Sequence, residues 1–327
     1  MRNFFRKVAF GLKPEEKAPS DPLTWAQKQI ETVPELNWKG KYILSEKEMR
    51  KYWITQRVEE NTTLRKKFKN DPQGLKKAEK LLEYETGRQF WKSNEICMRH
   101  AEGIRSNTPV LAKLWYFWTN HFTISDTQSL ASFSTGVYQR EFIRANMDKK
   151  FETMAIEATI AWPMMMHLDN KDNIGPKSIS GRSEWRRKER KPATINENHA
   201  RELLELHTVS PKAAYTQDDI IELAKIMTGW RPKWTKRKDH GHNVSFDTER
   251  HEPGKKTVFG KTYKRGKKSL EIAIKDLVNH PSCREFIATK LCRYLITDNP
   301  TKDMISPIIK AWEKSDGYLP EVHKAAI

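Results

Sequence analysis

The segment from Asn196 to Thr208 constrains the fold most strongly, because on a helix its residues separate into two chemically different sides. At 100° per residue, its polar members fall within an arc of roughly 100°. These are Asn198, Arg201, Glu202 and Glu205. The opposite side carries Ala200, Leu203, Leu204 and His207. We call this the amphipathic segment, and it predicts a helix with one core-facing side and one functional side.

Helical patterns cover much of the remaining chain. Segments 22–36 and 45–86 contain long charged side chains and few helix breakers, apart from a turn signal at 71–74. A helix over 110–122 carries an apolar stripe, which predicts a buried side. The stripe consists of Leu111, Leu114, Trp115, Trp118 and Phe122. Pro163 is expected to break a helix pair within 138–168, because proline lacks a backbone N–H.

The second half of the chain combines loops, helices and two short strands. Residues 170–195 predict an exposed loop, and Thr216 with Asp219 predicts the capped start of a helix that reaches Met227. Residues 244–246 and 257–260 predict the two strands of a hairpin.

The predicted fold is therefore mainly α, a multi-helix, orthogonal bundle-like single domain over 1–327 with a small β-hairpin. Its expected regions are N-terminal helices over 1–100, a core over 101–230, a basic loop and hairpin over 231–268, and C-terminal helices over 269–327.

Several further motifs occur in order along the chain, at 115–122, 168–170, 174–178, 215–219, 228–230, 251–256, 280–281 and 290–291. Together with the amphipathic segment they resemble a bacterial family known as domain of unknown function 1800, over nearly the whole chain. The resemblance supplies a family without a reaction. Thr119 stands where many relatives have a second histidine, and Glu252 where they more often have aspartate. Relatives usually continue further, so the resemblance implies that the C-terminal helices are incomplete.

The polar side of the amphipathic segment predicts catalytic or metal chemistry. Glu202 and Glu205 are close enough in sequence to share a divalent cation with Asp169, although the identity of any cofactor stays open. His121 suits general-base catalysis, because the pKa of histidine is near neutral. The alternative is that its ring points toward a neighbouring backbone carbonyl. The predicted catalytic residues are His121, Glu202, Glu205 and Arg201, in a hydrolase-like enzyme that acts on an anionic or polymeric substrate.

A structural interpretation competes with the catalytic one. Glu197 and Arg201 have the i, i+4 spacing of a helix ion pair, so Arg201 and the glutamates could form a network that fixes neighbouring helices. His207 is expected to be a core histidine with one satisfied hydrogen bond. In this alternative the protein is a structural or interaction protein whose basic surface binds nucleic acid or another acidic partner.

Cationic residues favour anionic partners. The chain has 60 Lys and Arg against 42 Asp and Glu, a net charge of +18, which attracts anionic ligands and acidic macromolecules. Basic segments 186–191, 231–238 and 255–268 alternate with aromatic residues that could stack on bases. These aromatics are Trp185, Trp230, Trp234 and Tyr263. Nucleic acid is nevertheless not the favoured partner, because no recognised nucleic-acid module is present.

A smaller group of residues is predicted to contact substrate. His251 and the following Gly254, Lys255 and Lys256 suggest an anion-binding turn, because glycine lets backbone donors approach a ligand. The full predicted substrate-binding set is Asn120, Asn170, Asn198, Trp230, His251, Lys255 and Lys256.

Cysteine usage and the N-terminus bear on the compartment. Cys97, Cys283 and Cys292 leave one thiol unpaired in any intramolecular scheme, which favours a reducing environment. The apolar run Val8–Leu12 is too short for a signal peptide, and the sequence contains no transmembrane span. We therefore expect a cytoplasmic protein, although some relatives carry export signals.

Overall fold

The computed structural model describes residues 2–39, 42–52, 58–85, 88–125, 132–183, 194–232 and 244–327. Within these ranges the chain is mainly α-helical with two small antiparallel sheets, which confirms the predicted fold class. The N-terminal helices are α1 Arg2–Val8, α2 Pro22–Lys28, α3 Glu46–Lys51, α4 Val58–Lys67, α5 Pro72–Glu85, α6 Arg88–Arg105 and α7 Pro109–His121. The central helices are α8 Thr135–Tyr138, α9 Phe151–Ile160, α10 Trp162–His167, α11 Asn198–Glu202 and α12 Gln217–Met227. The C-terminal helices are α13 Lys268–Val278, α14 Pro281–Leu295, α15 Lys302–Ser315 and α16 Leu319–Ala326.

The predicted apolar stripe of α7 lies in the main core. Its large side chains are at most 1% exposed and belong to the same core cluster as residues of α9, α12, α14 and α16, and Trp118 lies against Phe151 of α9 and His323 of α16. Burial of so many large aromatic and aliphatic side chains is the main stabilising term in a fold of this kind. The core thus surrounds α7 and holds the end of that helix, where His121 is located.

Two local predictions about helix boundaries are confirmed. α9 ends at Ile160 and α10 begins at Trp162, with Pro163 in the first turn, where its missing N–H costs no hydrogen bond. Thr216 caps α12 and forms a capping box with Asp219, and the helix reaches Met227 as predicted. Both boundaries depend on neighbouring residues, which is why the sequence alone predicts them.

The predicted strand at 244–246 is confirmed, whereas the one predicted at 257–260 begins one residue earlier and ends at Val258, and the predicted pairing of the two is wrong. β1 (Trp230–Pro232) pairs with β2 (Val244–Phe246), whereas β3 (Lys256–Val258) pairs with β4 (Lys261–Tyr263). Phe259 and Gly260, between β3 and β4, both have positive φ angles of 49° and 71°. Positive φ at both central residues is typical of the tight turn that joins adjacent strands. This turn makes residues 256–263 a hairpin by themselves.

The first portion of the predicted exposed loop is instead packed into the protein. Asn170 and Asn173 are each 1% exposed. Asn170 donates to the carbonyl oxygens of Met227 and Trp230, and Asn173 donates to that of Ala224. The two amides therefore fix the loop to the end of α12. The basic run 186–191, Trp185 and Trp234 lie outside the described residues.

Candidate functional site

The amphipathic segment forms a helix that changes type in its middle. α11 is α-helical, and the five residues Leu203–His207 that follow form a π-helical turn. A π turn inserts an extra residue into the helix, and such turns are frequent at functional sites. The apolar side is buried as predicted, since Ala200, Leu203 and Leu204 are each 0% exposed. The polar side faces outward and is partly exposed.

Arg201 organises the polar side. Its guanidinium forms ion pairs with Glu197 at 2.9 Å and Glu205 at 3.3 Å, and it donates to the side-chain oxygen of Gln217 at 3.0 Å. Gln217 in turn donates to Glu197 at 2.6 Å. Hydrogen bonding to Glu197, followed by the charges of both glutamates, raises the pKa of Arg201. The network joins α11 to α12, as the structural interpretation expects, but it is half-exposed rather than buried.

Glu202 differs from its neighbours. Its carboxylate has no hydrogen-bond or ion-pair partner among the residues that the structure describes, although it is adjacent to Arg201. Partial burial, with a smaller contribution from the charge of Glu205, raises the pKa of Glu202, and Arg201 offsets part of this rise. Glu205 also contacts the hydroxyl of Tyr215, a half-buried residue whose pKa is raised mainly by burial. A carboxyl group with a raised pKa is suited to proton transfer.

His121 lies on the opposite side of the amphipathic segment from this network. It is 3% exposed, its Nε2 donates to the backbone oxygen of His207 at 3.1 Å, and its Nδ1 lies 2.8 Å from the Lys290 ammonium. Burial, followed by the charges of Lys290 and His207, lowers the pKa of His121 well below its ordinary value. The predicted catalytic set is therefore divided: Arg201, Glu202 and Glu205 share the outer side, and His121 lies in the core.

The carboxylates predicted to bind metal are likewise not assembled into a ligand cluster. Asp169 has a positive φ of 56° and its carboxylate pairs with Lys171 at 3.0 Å, whereas Glu205 pairs with Arg201. Among the described residues, no group of three or more His, Cys, Asp or Glu side chains is arranged to hold a metal ion. Asp169 therefore does not join Glu202 and Glu205 in this conformation.

His251 and Lys256 belong to a buried hydrogen-bond network rather than to an open anion-binding turn. Each is 1% exposed. The His251 Nδ1 lies 2.8 Å from the Thr228 carbonyl oxygen, and the Lys256 ammonium donates to the carbonyl oxygens of Gly254, at 3.0 Å, and Glu252. Burial is the main cause that lowers the pKa of His251 to about 4 and that of Lys256 to about 8.

The other predicted substrate contacts are divided between core and surface. Trp230 is 2% exposed, and its ring lies 5.5 Å from the Lys267 ammonium, while Asn170 is the buried amide described above. Asn120, Asn198 and Lys255 are exposed. Three of the seven predicted contacts can therefore reach a ligand without rearrangement of the core.

Sequence reasoning identified the basic segment 255–268 but not that part of it lines a pocket. A pocket of about 580 Å³ lies where β4 leads into α13. We call it the basic pocket, and its lining comprises Lys261, Thr262, Tyr263, Lys264, Arg265, Gly266, Lys267, Lys268, Ser269 and Ile272. The density of lysine and arginine at 261–268 was the signal, but a run of cations by itself does not show which side chains are already paired.

His199 is a second omission from the sequence-based set. It is 0% exposed, and neither ring nitrogen has a hydrogen-bond partner among the described residues. Burial, followed by the charges of His207 and His167, lowers the pKa of His199 to about 3. Its burial could have been predicted from its position four residues before Leu203, at the border of the apolar side of the helix.

The fold and this arrangement define a basic, mainly helical protein in which one helical segment carries a polar network on its outer side and buried histidines on its inner side. The chain belongs to the family described as "Protein of unknown function (DUF1800)", whose model matches residues 3–327. Comparisons with curated proteins and with solved structures give no match. No helix within the described ranges is long and apolar enough to cross a membrane.

Proposed function

We propose that the protein binds a phosphate-bearing anion in the basic pocket. The observation that carries this proposal is the state of Lys264 and Lys268. Both are exposed in the pocket lining, and neither ammonium has a hydrogen-bond or ion-pair partner among the described residues. Unpaired cations that converge on one cavity favour an anionic ligand.

The neighbouring cations are already engaged, which distinguishes them from these two lysines. Lys261 pairs with Asp276 at 2.6 Å, Arg265 donates to the Thr248 carbonyl oxygen at 3.2 Å, and Lys267 lies over the Trp230 ring. These contacts hold the pocket wall in place. Within the described ranges only Lys261 is paired with a carboxylate, so Arg265 and Lys267 keep their positive charge, and Lys264 and Lys268 are the cations whose ammonium groups are also free to donate to a ligand.

The start of α13 adds backbone donors to the same pocket. α13 begins at Lys268, and no side chain caps its first turn, although the Ser269 N–H already donates to the Gly266 carbonyl oxygen at 3.2 Å. Uncapped N–H groups at a helix start, together with the helix dipole, favour phosphate and other oxyanions. Lysine ammonium groups and backbone N–H groups donate to phosphate oxygens in the same manner, so a phosphate group suits both sides of the pocket.

Calorimetric titration with inorganic pyrophosphate tests this proposal. The double variant Lys264→Gln/Lys268→Gln is expected to weaken binding about tenfold or more, since each lost charge-assisted hydrogen bond contributes on the order of 1 kcal/mol at an exposed site. Lys302→Gln/Lys310→Gln is the matched control, because it removes two equally exposed lysines of α15. Unchanged binding by the pocket variant, or an equal loss in the control, would contradict the proposal.

The same variants separate a small phosphate ligand from a nucleic acid. A single-stranded oligonucleotide should show a binding constant that falls with salt between about 50 and about 200 mM, and loss of two phosphate contacts should reduce the slope by roughly 1.4. Binding of pyrophosphate without the oligonucleotide would favour a small ligand. Binding of both would favour a nucleic-acid strand that crosses the pocket.

A hydrolase is the second candidate, and the unpartnered carboxyl of Glu202 favours it. Its raised pKa suits a general acid or base, and Arg201 and Tyr215 provide polar groups nearby. His121 is not part of this version of the hypothesis, because it lies on the other side of the segment.

Turnover of a panel of phosphate and carboxylate esters by the wild type and Glu202→Gln tests the hydrolase hypothesis. The variant is expected to lose at least about a hundredfold in kcat, the usual contribution of a general acid or base, while it retains the wild-type melting temperature. Equal turnover by both proteins would exclude Glu202 as the acid or base.

A further inference from the structure

Three buried histidines lie in the core with a fourth histidine and a lysine at their border. The ring centroids of His121 and His207 are 6.1 Å apart, the Lys290 ammonium lies 2.8 Å from His121, and the charges of His207 and His167 act on His199. His121 comes from α7, His167 from α10, His199 and His207 from the amphipathic segment, and Lys290 from α14. We call these five residues the histidine cluster. His121, His199 and His207 are at most 4% exposed, while His167 and Lys290 are half-buried. Because histidine titrates near neutral pH, a modest fall in pH can place a positive charge on these buried rings.

The contacts of His121 specify a neutral ring. Its Nε2 donates to the His207 backbone oxygen, and its Nδ1 accepts from Lys290 at 2.8 Å. Protonation of Nδ1 would place an N–H against an ammonium that also only donates. The hydrogen bond would then become a repulsive contact between two positive charges. His121 therefore cannot gain a proton while Lys290 stays charged in this position.

The neighbours of His199 and His207 reinforce this requirement. Both Nδ1 and Nε2 of His199 are buried without a hydrogen-bond partner among the described residues, as is Nδ1 of His207. The charged groups that act on these rings are all basic: His167 and His207 on His199, and Lys290 and His167 on His207. A buried charge needs a counterion or a hydrogen bond to be tolerated, and these surroundings offer neither to a newly protonated ring.

Within the described ranges, no acidic group acts on the rings of His121, His199 or His207. The C-terminal helix α16 contributes His323, which is 0% exposed and accepts from the Trp118 indole N–H at 2.9 Å. Asp169 follows α10 and acts on His167, but its carboxylate is paired with Lys171. Protonation would therefore add like charges to the junction of α7, α10, the amphipathic segment, α14 and α16.

We propose that the histidine cluster is an acid-sensitive switch, which opens the junction between α7, the amphipathic segment and α14 when the pH falls below neutral. In the closed state the rings are neutral and hold His121 between His207 and Lys290. In the open state the rings are protonated and solvated, and the amphipathic segment loses its contact with α7. The device couples the pH of the surroundings to the position of the segment that carries Arg201 and Glu202.

The direction of the effect follows from proton linkage. An unfolded histidine has a pKa near 6.5, whereas burial lowers the pKa of both His199 and His207 to about 3. Between these values the open or unfolded chain binds more protons, so stability falls as pH falls. Each such histidine lowers the ratio of closed to open protein about tenfold per pH unit, or about thirtyfold by pH 5. Glu141 and Glu157, whose pKa values burial raises, act in the opposite direction.

Urea unfolding of the wild type between about pH 7.5 and about pH 5 tests the switch. The folded-to-unfolded ratio is expected to fall by at least about tenfold per pH unit below about pH 6.5. Hydrogen exchange at the lower pH, corrected for the intrinsic rate, should increase in peptides from 109–121, 198–207 and 281–295 before it increases in 217–227. A pH-independent ratio, or unchanged exchange in the first three peptides, would overturn the proposal.

Variants identify the responsible rings. His199→Leu and His207→Leu should each reduce the pH slope by about one proton. His100→Gln is the control, because His100 is exposed and lies outside the cluster, and it should leave the slope unchanged. A full slope in both leucine variants would assign acid sensitivity to other groups and refute the proposal. If neither leucine variant folds, the exchange pattern at the lower pH still decides the outcome. The wild-type slope alone does not, because burial also lowers the pKa of His251 to about 4 and that of His323 to about 3.

Discussion

Replacement of Arg201 should lower the stability of the protein, whereas replacement of the adjacent Glu202 should not. Arg201→Met removes two ion pairs, at 2.9 and 3.3 Å, and the hydrogen bond to Gln217 at 3.0 Å. Glu202→Gln removes a carboxylate that has no partner among the described residues and that experiences repulsion from Glu205. Comparison of the two variants therefore separates the stability contribution of the Arg201 network from that of the unpartnered Glu202 carboxylate.

The magnitude follows from the exposure of the partners. The Arg201 side chain is 33% exposed, so each i, i+4 ion pair contributes only about 0.3–0.5 kcal/mol. The charge-assisted hydrogen bond to Gln217 adds on the order of 1 kcal/mol. Together these predict a loss of about 2 kcal/mol for Arg201→Met. With 327 residues and about 2.1 cal/mol/K of unfolding entropy per residue, this loss lowers Tm by about 3 °C.

Differential scanning calorimetry at neutral pH is the assay. Glu202→Gln should leave Tm unchanged or raise it slightly, because burial and the charge of Glu205 disfavour its ionised form in the folded state. A fall in Tm for Glu202→Gln as large as that for Arg201→Met would refute the assignment of Glu202 as the unpartnered group. An unchanged Tm for Arg201→Met would refute the structural role of the network.

Three further predictions concern backbone packing, a buried ion pair and a buried lysine. Gly175→Ala should destabilise the protein by about 1–3 kcal/mol in urea unfolding, because a Cβ there would lie 2.6 Å from the Glu252 backbone. Arg140→Met should lower the free energy of unfolding by about 3–5 kcal/mol, because it removes the partner that lies 2.7 Å from the 4% exposed Glu95 carboxylate. The double variant Arg140→Met/Glu95→Gln should recover much of this loss. Lys256 should raise the free energy of unfolding by about 2 kcal/mol between about pH 8 and about pH 9.5. Burial lowers its pKa in the folded protein to about 8, so the unfolded chain binds more protons in this range. In Lys256→Met this contribution should be absent from unfolding curves measured across the same range.

Local sequence patterns predicted the helices well where a short-range physical cause was present. The capping box of Thr216 with Asp219, the first-turn position of Pro163 and the apolar stripe of α7 each involve residues within a few turns of one another. Hydrogen bonds at helix ends and side-chain periodicity act over this range. The same reasoning predicted that Arg201 pairs with Glu197, since four residues bring the two onto one side of a helix.

The candidate site could be predicted only in part, because side-chain environment depends on distant segments. Lys256 looked like an exposed cation in a glycine-containing turn, but carbonyl oxygens and His251 enclose its ammonium. Glu202 and Glu205 look equivalent in sequence, yet of these two only Glu205 is bonded to Arg201 and Tyr215. Sequence spacing allows Arg201 to pair with Glu205 at i, i+4, but it does not show which charges stay unpaired once residues from outside the segment, such as Gln217 and Tyr215, are in place.

The sequence by itself determined the mainly helical fold class, the family, the two sides of the amphipathic segment and the excess of positive charge. Only the tertiary structure decided that His121 meets Lys290, 169 residues further along the chain, and that His121 and Glu202 lie on opposite sides of one helix. The physical reason is the sequence separation over which each kind of interaction acts. Periodicity and capping are set by neighbouring residues, whereas burial, pKa and hydrogen-bond partners are set by whichever segments the folded core brings together.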